Sequence, residues 1–379
     1  MIKAVRVLKR VPYHIGFVLQ QAYLYLGGRI ASILQKNKQY KEDYPIDFVV
    51  TWVDGNDPEW RKEKQKYAGL ISDQGFNGSA RYRDWDTLVY WFRAVEKFAP
   101  WVNRVYFVTC GQKPKWLNLN NEKLRFVTHE SFMPEEYLPT FNSCAIELNM
   151  WRIPDLSEHF VYFNDDMFLN RPVKPEDFFS NGLPKECAIA KPLYVNCEYS
   201  ISWQRTLLND LSVINKSFDI RERIMEHPSK WFSYIIGRQA KYNRRLYFDG
   251  YLAGMLYPHV SRAFMKNTFA DLWNEHRELM DQTSRSKFRD STNYTIQLVT
   301  LWMLFSGDFC PVRQDQLGVF FNVKSITIEH ILEELNSPKH NVICINDGDS
   351  TDAAAYDNLK GIILDAFSKK LPEKSSFEL

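Results

Sequence analysis

The chain has 379 residues, 45% hydrophobic and 25% charged, the ordinary balance of a soluble globular protein with one large domain or two. A net charge of +2 excludes a strongly basic nucleic-acid-binding chain. Six scattered cysteines without a CxxC indicate neither a zinc site nor a disulfide framework, and 15% aromatic content suits an aromatic-rich core or a sugar-stacking site.

Residues 1–37 open with Lys3, Arg6, Lys9 and Arg10, and then place Ile15, Val18, Leu19, Ala22, Tyr25, Leu26, Ile30, Ile33 and Leu34 at helical spacing. Gln20, Gln21 and Arg29 interrupt the segment, so it is neither a signal peptide nor a membrane-spanning run. It reads as a basic amphipathic helix, lying on a membrane surface or packing on the body or another subunit. A polar linker, 38–45, follows.

The body begins with Ile46–Val53, an apolar run ending at Asp54-Gly55-Asn56-Asp57-Pro58, which predicts a buried parallel strand and a loop. Helices are predicted at Trp60–Tyr67 and Asp86–Phe98, and strands at Arg104–Val108 and Leu124–Thr128. Phe160–Phe163 is another buried strand, stopping at Asn164-Asp165-Asp166. A further strand is expected within 186–197, mainly helical structure over 199–310, a strand at 341–347 ending in Asn346-Asp347, and a helix at 353–368. Alternating strands and helices predict an α/β fold, a mostly parallel sheet with helices on both faces.

Ligands of such sheets bind at the carboxyl ends of the strands. Asn164-Asp165-Asp166 is either an acidic turn or an oxygen-rich cluster for Mg²⁺ or Mn²⁺, and through the metal for a diphosphate. No GxGxxG, GxxxxGK[ST], GxSxG or HExxH occurs. What remains are three acidic strand ends (Asp54/Asp57, Asp165/Asp166, Asp347) and the candidate cations His259, Lys266 and Arg289. Taken singly, His259 reads as a structural histidine and Arg289 as a surface ion pair.

These residues resemble the Stealth family, bacterial sugar-1-phosphate transferases of capsular and cell-wall polysaccharide related to the animal GlcNAc-1-phosphotransferase. The resemblance is carried by TWVDGNDPEW (51–60), by RYRDWDTLVYWF onward (81–117) with LPTFNSCAIE (138–147) and FNDDMF, by His259 with TSRSKFRDSTN (283–293), and by CINDGDSTD (344–352). It departs at Cys110, Trp151, Ser261 and Asn293. The resemblance implies a Rossmann-like, GT-A-like catalytic domain over 46–379 with a mainly helical subregion at about 199–310. The implied reaction passes a sugar-1-phosphate from a nucleotide-diphosphate sugar to a hydroxyl of a polysaccharide or lipid-linked oligosaccharide, at the inner face of the bacterial cell membrane. Implied roles are metal ligation by Asp165, Asp166 and Asp347 with Asn164 and Asn346 assisting, and nucleotide binding by Thr51, Trp52, Asp54, Gly55, Asp57 and Asn142. His259 is implied as base or phosphate contact, Lys266 and Arg289 as charge stabilisers, and Arg93 and Gln112 as substrate-positioning groups. An ordinary metal-dependent glycosyltransferase and a non-catalytic assembly protein are the rival readings, and a homo-oligomer is left open.

Overall fold

A computed structural model describes residues 13–35, 41–69, 77–78, 82–194, 201–347 and 353–379. The basic opening, most of 68–80, and the end of the 186–197 and CINDGDSTD stretches lie outside the described residues.

The central sheet contains β1 (Ile46–Thr51), β2 (Val105–Thr109), β3 (Leu124–Thr128) and β4 (His159–Asn164). Their order is β3-β2-β1-β4, all parallel. β1, β2 and β4 are short, mainly apolar runs because both of their faces are covered, while the edge strand β3 is half-buried and carries Arg125. On β1, Ile46, Phe48 and Val50 enter one core with Phe107, Val161 and Phe163, while Val49 enters the other with Tyr106, Phe160 and Tyr162. Helix α2 (Pro58–Ala68) follows β1, and α3 (Leu88–Phe98) buries Trp91, Phe92 and Val95 in the first core. Helix α4 (Ser143–Asn149) serves the second. Asp47, buried within β1, accepts hydrogen bonds from Asn103 Nδ2, Arg104 N and Ser157 N, so its charge is satisfied.

Two small sheets flank this one. β5 (Met167–Leu169) turns back from β4; β6 (Phe179–Ser180) and β7 (Leu183–Glu186) form a hairpin. Among the described residues, which here reach Tyr194, the expected strand within 186–197 is not formed beyond Glu186, apart from a single bridge from Ala190 to Met255. The Asn243 side chain takes the ladder's role there, donating to Ala188 O and accepting from Ala190 N, and Pro192 has no N–H to offer.

The 201–306 region is helical as expected, with α5 (Ile201–Ser217), α6 (Ala240–Asp249), α7 (Lys266–Glu275), α8 (Arg277–Arg285) and α9 (Ile296–Ser306). It is interrupted by β8 (Arg262–Met265), which pairs antiparallel with β4 and completes a five-stranded sheet. β9 (Cys310–Pro311) joins β7. β10 (Val319–Asn322) lies parallel to β11 (Val342–Asn346), whose other edge pairs antiparallel with β5. Helices α10 (Ile328–Asn336) and α11 (Ala353–Lys370) close the chain.

Helix α1 (Tyr13–Gln35) packs on the body through Gln21, Leu24, Gly28 and Ser32. Gln21 donates to Arg244 O, and Ser32 Oγ accepts from Tyr234 N. A Cβ at Gly28 would stand 2.3 Å from Pro228 O, so only glycine allows this approach. Among the described residues no helix is long and apolar enough to cross a membrane.

Candidate active site

β1 and β4 pair in register to their ends, Thr51 opposite Asn164, so their loops open at the same edge. A cavity of about 1690 Å³ lies there, walled by Thr51, Trp52, Val53, Asp84, Glu147, Tyr162, Asn164, Asp165, Asp166, His259, Arg289, Asn346 and Asp347, among others. The three acidic strand ends thus meet unequally: Asp165, Asp166 and Asp347 reach the cavity, while Asp54 and Asp57 do not line it.

Asp54 and Asp57 brace the loop instead. Asp57 caps α2, accepting from Glu59 N and Trp60 N. Gln112 ties both residues down: its Oε1 accepts from Asp54 N at 2.9 Å, and its Nε2 donates to Asp54 O at 2.9 Å and Asp57 Oδ2 at 3.1 Å. Gly55 is required because a Cβ would meet Tyr82 O at 1.9 Å. The loop's contribution to the cavity is Thr51, Trp52 and Val53.

Asp165 and Asp166 sit in the tight turn from β4 to β5, and Ile345 N on β11 donates to Asp166 O. Burial pushes the Asp165 carboxyl well above its ordinary range, with the Asp166 and Asp84 carboxylates adding to it. Asp166 Oδ1 is buried with no hydrogen-bond partner. An unpaired buried carboxylate oxygen among crowded acids is costly, and a divalent cation would satisfy both features. His259 Nε2 lies 3.7 Å from Asp166 Oδ2, too far for a hydrogen bond. The Cys344 thiol joins them, with one ligand atom from each of Asp166, His259 and Cys344 within 4.8 Å of one another. Burial, then Asp166, raises the Cys344 pKa well above that of a free thiol, so it stays protonated. The residues present therefore fit a divalent cation, with Asp166 and His259 placed to hold it and Asp165 next to them in the turn.

Asp347 is engaged differently. Arg83 grips it with two charge-assisted bonds, Nε to Oδ2 at 2.7 Å and Nη2 to Oδ1 at 2.9 Å. Asn346 Nδ2 donates to Asn322 Oδ1 at 2.7 Å, fastening the ends of β10 and β11 together.

Under the cavity floor the Tyr162 hydroxyl stands 2.5 Å from Asn164 Oδ1, 3.1 Å from Thr51 Oγ1 and 3.2 Å from Glu147 Oε1. A phenol has one proton, which the shortest contact assigns to Asn164. Thr51 Oγ1 is then placed to donate to Tyr162, and Glu147 Oε1 is the more distant acceptor. Burial raises the Glu147 carboxyl to about 7, against the opposing pull of Arg289.

Arg289 is fixed from both sides. Its Nε donates to Ser143 Oγ at 3.1 Å, while Asn77 bonds its backbone N–H and C=O. Asn142 holds Ser143 in turn, capping α4 at Cys144 N and donating to Asn293 Oδ1 at 2.9 Å. Asn142 is fully buried and acts as a support.

Two expected residues lie away from the cavity. Arg93 forms a bidentate pair with Glu378 and donates to Leu371 O, clamping the chain's last residues. Lys266 follows β8, which runs antiparallel, so it emerges at the opposite sheet edge with its Nζ on Leu156 O. His259 precedes β8 and for the same reason reaches the cavity. Sequence reasoning gave no role to Arg83, Asp84, Glu147, Tyr162 or Cys344. For Glu147 the signal was its place in LPTFNSCAIE, one helical turn after Ser143.

Residues 44–71 match Stealth protein conserved region 1, and 81–186 match conserved region 2. The capsular polysaccharide phosphotransferase WcwK of Streptococcus pneumoniae is 41% identical over 334 residues, 88% of this chain and 98% of that one. The exopolysaccharide phosphotransferase cps2G of Lactiplantibacillus plantarum is 40% identical, covering 88% and 96%. The receptor polysaccharide phosphotransferase WefC of Streptococcus gordonii is 38% identical, covering 88% and 99%. Among solved structures, the galactosyltransferase LgtC with donor and acceptor sugar analogs aligns at a TM-score of 0.34 and 11% identity, over 83% of this chain and 95% of that one. That likeness is too small to bear on the site. The relatives leave no ambiguity about kinship: this chain belongs to the Stealth family, alongside the capsular and exopolysaccharide phosphotransferases.

Proposed function

We propose that the protein transfers a sugar-1-phosphate from a nucleotide-diphosphate sugar, a UDP-sugar in our reading, to a hydroxyl of a growing cell-surface polysaccharide. The supporting observation is the carboxyl-edge cavity, where the Asp165-Asp166 turn faces His259 and Arg289. The acceptor oxygen attacks the β-phosphorus, the bond from that phosphorus to the bridging oxygen breaks, and the nucleoside monophosphate leaves with the electron pair. The anomeric C–O bond is untouched, so no carboxylate is needed beside the anomeric carbon.

Mg²⁺ or Mn²⁺, held at the Asp165-Asp166 turn, would neutralise diphosphate charge when bound. His259, half exposed beside Asp166, takes the acceptor's proton at Nε2. Arg289, held at Ser143 and aimed into the cavity, meets the charge on the equatorial phosphoryl oxygens. Thr51 and Trp52 contact the nucleotide end, and Tyr162 with Glu147 keeps Thr51 and Asn164 in register. Asp347 works through its pair with Arg83, fixing the end of β11 beside the acidic turn.

The test is ³¹P NMR of the product made from UDP-sugars and a capsule-type oligosaccharide with Mg²⁺. A phosphodiester resonance with UMP release supports the proposal. UDP release with no phosphorus in the product identifies an ordinary glycosyltransferase instead.

A further inference from the structure

A surface helix normally buries its apolar stripe and shows water its polar one. Helix α1 turns Gln21, Leu24, Gly28 and Ser32 to the body with Phe17 and Tyr25 packed beside them, held by ring contacts, hydrogen bonds and close backbone approach, and it still keeps a second apolar face. The opposite side carries Leu19, Tyr23, Leu26, Ile30, Ile33 and Leu34, all exposed, from 41% at Tyr23 to 76% at Leu34. At about 100° per residue these six fall on one arc centred roughly opposite the buried four.

Packing that leaves six large apolar side chains in water raises the free energy of the isolated molecule. Charge indicates what covers them. Residues 1–40 contain seven lysines and arginines and no acidic residue, while acids outnumber these cations in the rest of the chain. Beside α1, helix α6 adds exposed Lys241, Arg245 and Phe248, and the Phe248 ring lies 5.6 Å from that of Phe17. A second copy of the chain would bring only the same acid-free N-terminal sequence to meet these cations. Lipid phosphates neutralise it, and aliphatic and aromatic side chains with cations around them suit the headgroup boundary.

We propose that the outward face of α1 docks the protein in the plane of an anionic lipid bilayer, with Leu26, Ile30 and Ile33 at its centre. The helix lies along the surface and does not cross it, in keeping with its hydropathy. This inference does not depend on the phosphotransfer reading, since binding is measured with vesicles alone.

The full chain would be floated with phosphatidylcholine vesicles containing or lacking phosphatidylglycerol. The expected result is flotation with the anionic vesicles, weakened at least tenfold by raised salt or by omitting phosphatidylglycerol. The triple variant Leu26→Ser/Ile30→Ser/Ile33→Ser should stay at the bottom of the gradient with an unchanged melting temperature, because these side chains support nothing in the body. Wild-type protein that ignores anionic vesicles overturns the proposal. So does a wild-type dimer that the triple substitution converts to monomer, since the face would then be a protein interface.

Discussion

Arg83 and Asp347, 264 residues apart in sequence, meet through both guanidinium arms at 2.7 and 2.9 Å. A carboxylate neutralised in this way is a poor metal ligand and a good anchor, which separates Asp347 from Asp165 and Asp166. Asp347→Asn should cost about 2 kcal/mol of stability by leaving Arg83 without its charge partner, a value below that of a fully buried pair because both groups keep some solvent contact. Urea denaturation measures the loss, and calorimetric titration with Mn²⁺ should show affinity changed less than threefold. Metal affinity that collapses in Asp347→Asn would make this residue a ligand after all.

Asp166 is the opposite case, with one buried oxygen unpaired. Asp166→Asn should weaken Mn²⁺ binding by roughly 100-fold or more and abolish metal-dependent turnover, because an amide brings no charge to a hard cation. Unchanged dependence of rate on metal concentration would remove Asp166 from the metal site.

His259→Ala should lower kcat by roughly 10²–10⁴-fold, the usual worth of a positioned proton acceptor. Arg289→Ala should lower it by roughly 10²–10³-fold, as for loss of a group facing developing charge. Ser143→Ala, which only frees one bond to Arg289, should fall well short of either. Near-normal turnover in the first two variants would show that neither side chain serves the reaction.

Glu147 makes a pH prediction with a definite sign. Its folded pKa, about 7, lies above the ordinary 4.5 of an unfolded glutamate because burial disfavours its charge. The folded protein therefore binds the extra proton between these values, so stability falls as pH rises from 4.5 to 7 and is level above that. Glu147→Gln, permanently neutral, should be the more stable protein above pH 7, by on the order of 3 kcal/mol, and should match wild type near pH 4.5. Denaturant midpoints of the two proteins at pH 5 and pH 8 test it. Equal differences at both pH values would mean that Glu147 is ionised in the folded state.

β1, β4 and β11 were legible because each is an apolar run ending abruptly in acids or Asn-Asp, a pattern local enough to survive without partners. β5, β8 and β10 were not. They are three or four residues long, and only the strand beside each one makes it a strand. Missing β8 also misplaced Lys266. Nearness to His259 in sequence implied nearness in space, but an antiparallel strand carries its two ends to opposite edges of the sheet. Tyr162 was hidden for another reason. A tyrosine inside Phe-Val-Tyr-Phe looks like core, and it is core along its ring, while its hydroxyl alone reaches Thr51, Asn164 and Glu147. Arg93 was read as a substrate contact from the family pattern, and its carboxylate partner, Glu378, lies 285 residues away.

β11 sits between β5, made early in the chain, and β10, made late, and it carries Cys344, Asn346 and Asp347 to the cavity. The consequence is one of timing. A nascent chain that has emerged only as far as residue 310 contains every strand of the five-stranded sheet but lacks this wall, and β5 has no neighbour on its free edge. Under the proposed reaction, turnover therefore waits until β10 and β11 have been made, since both follow the sheet that they wall.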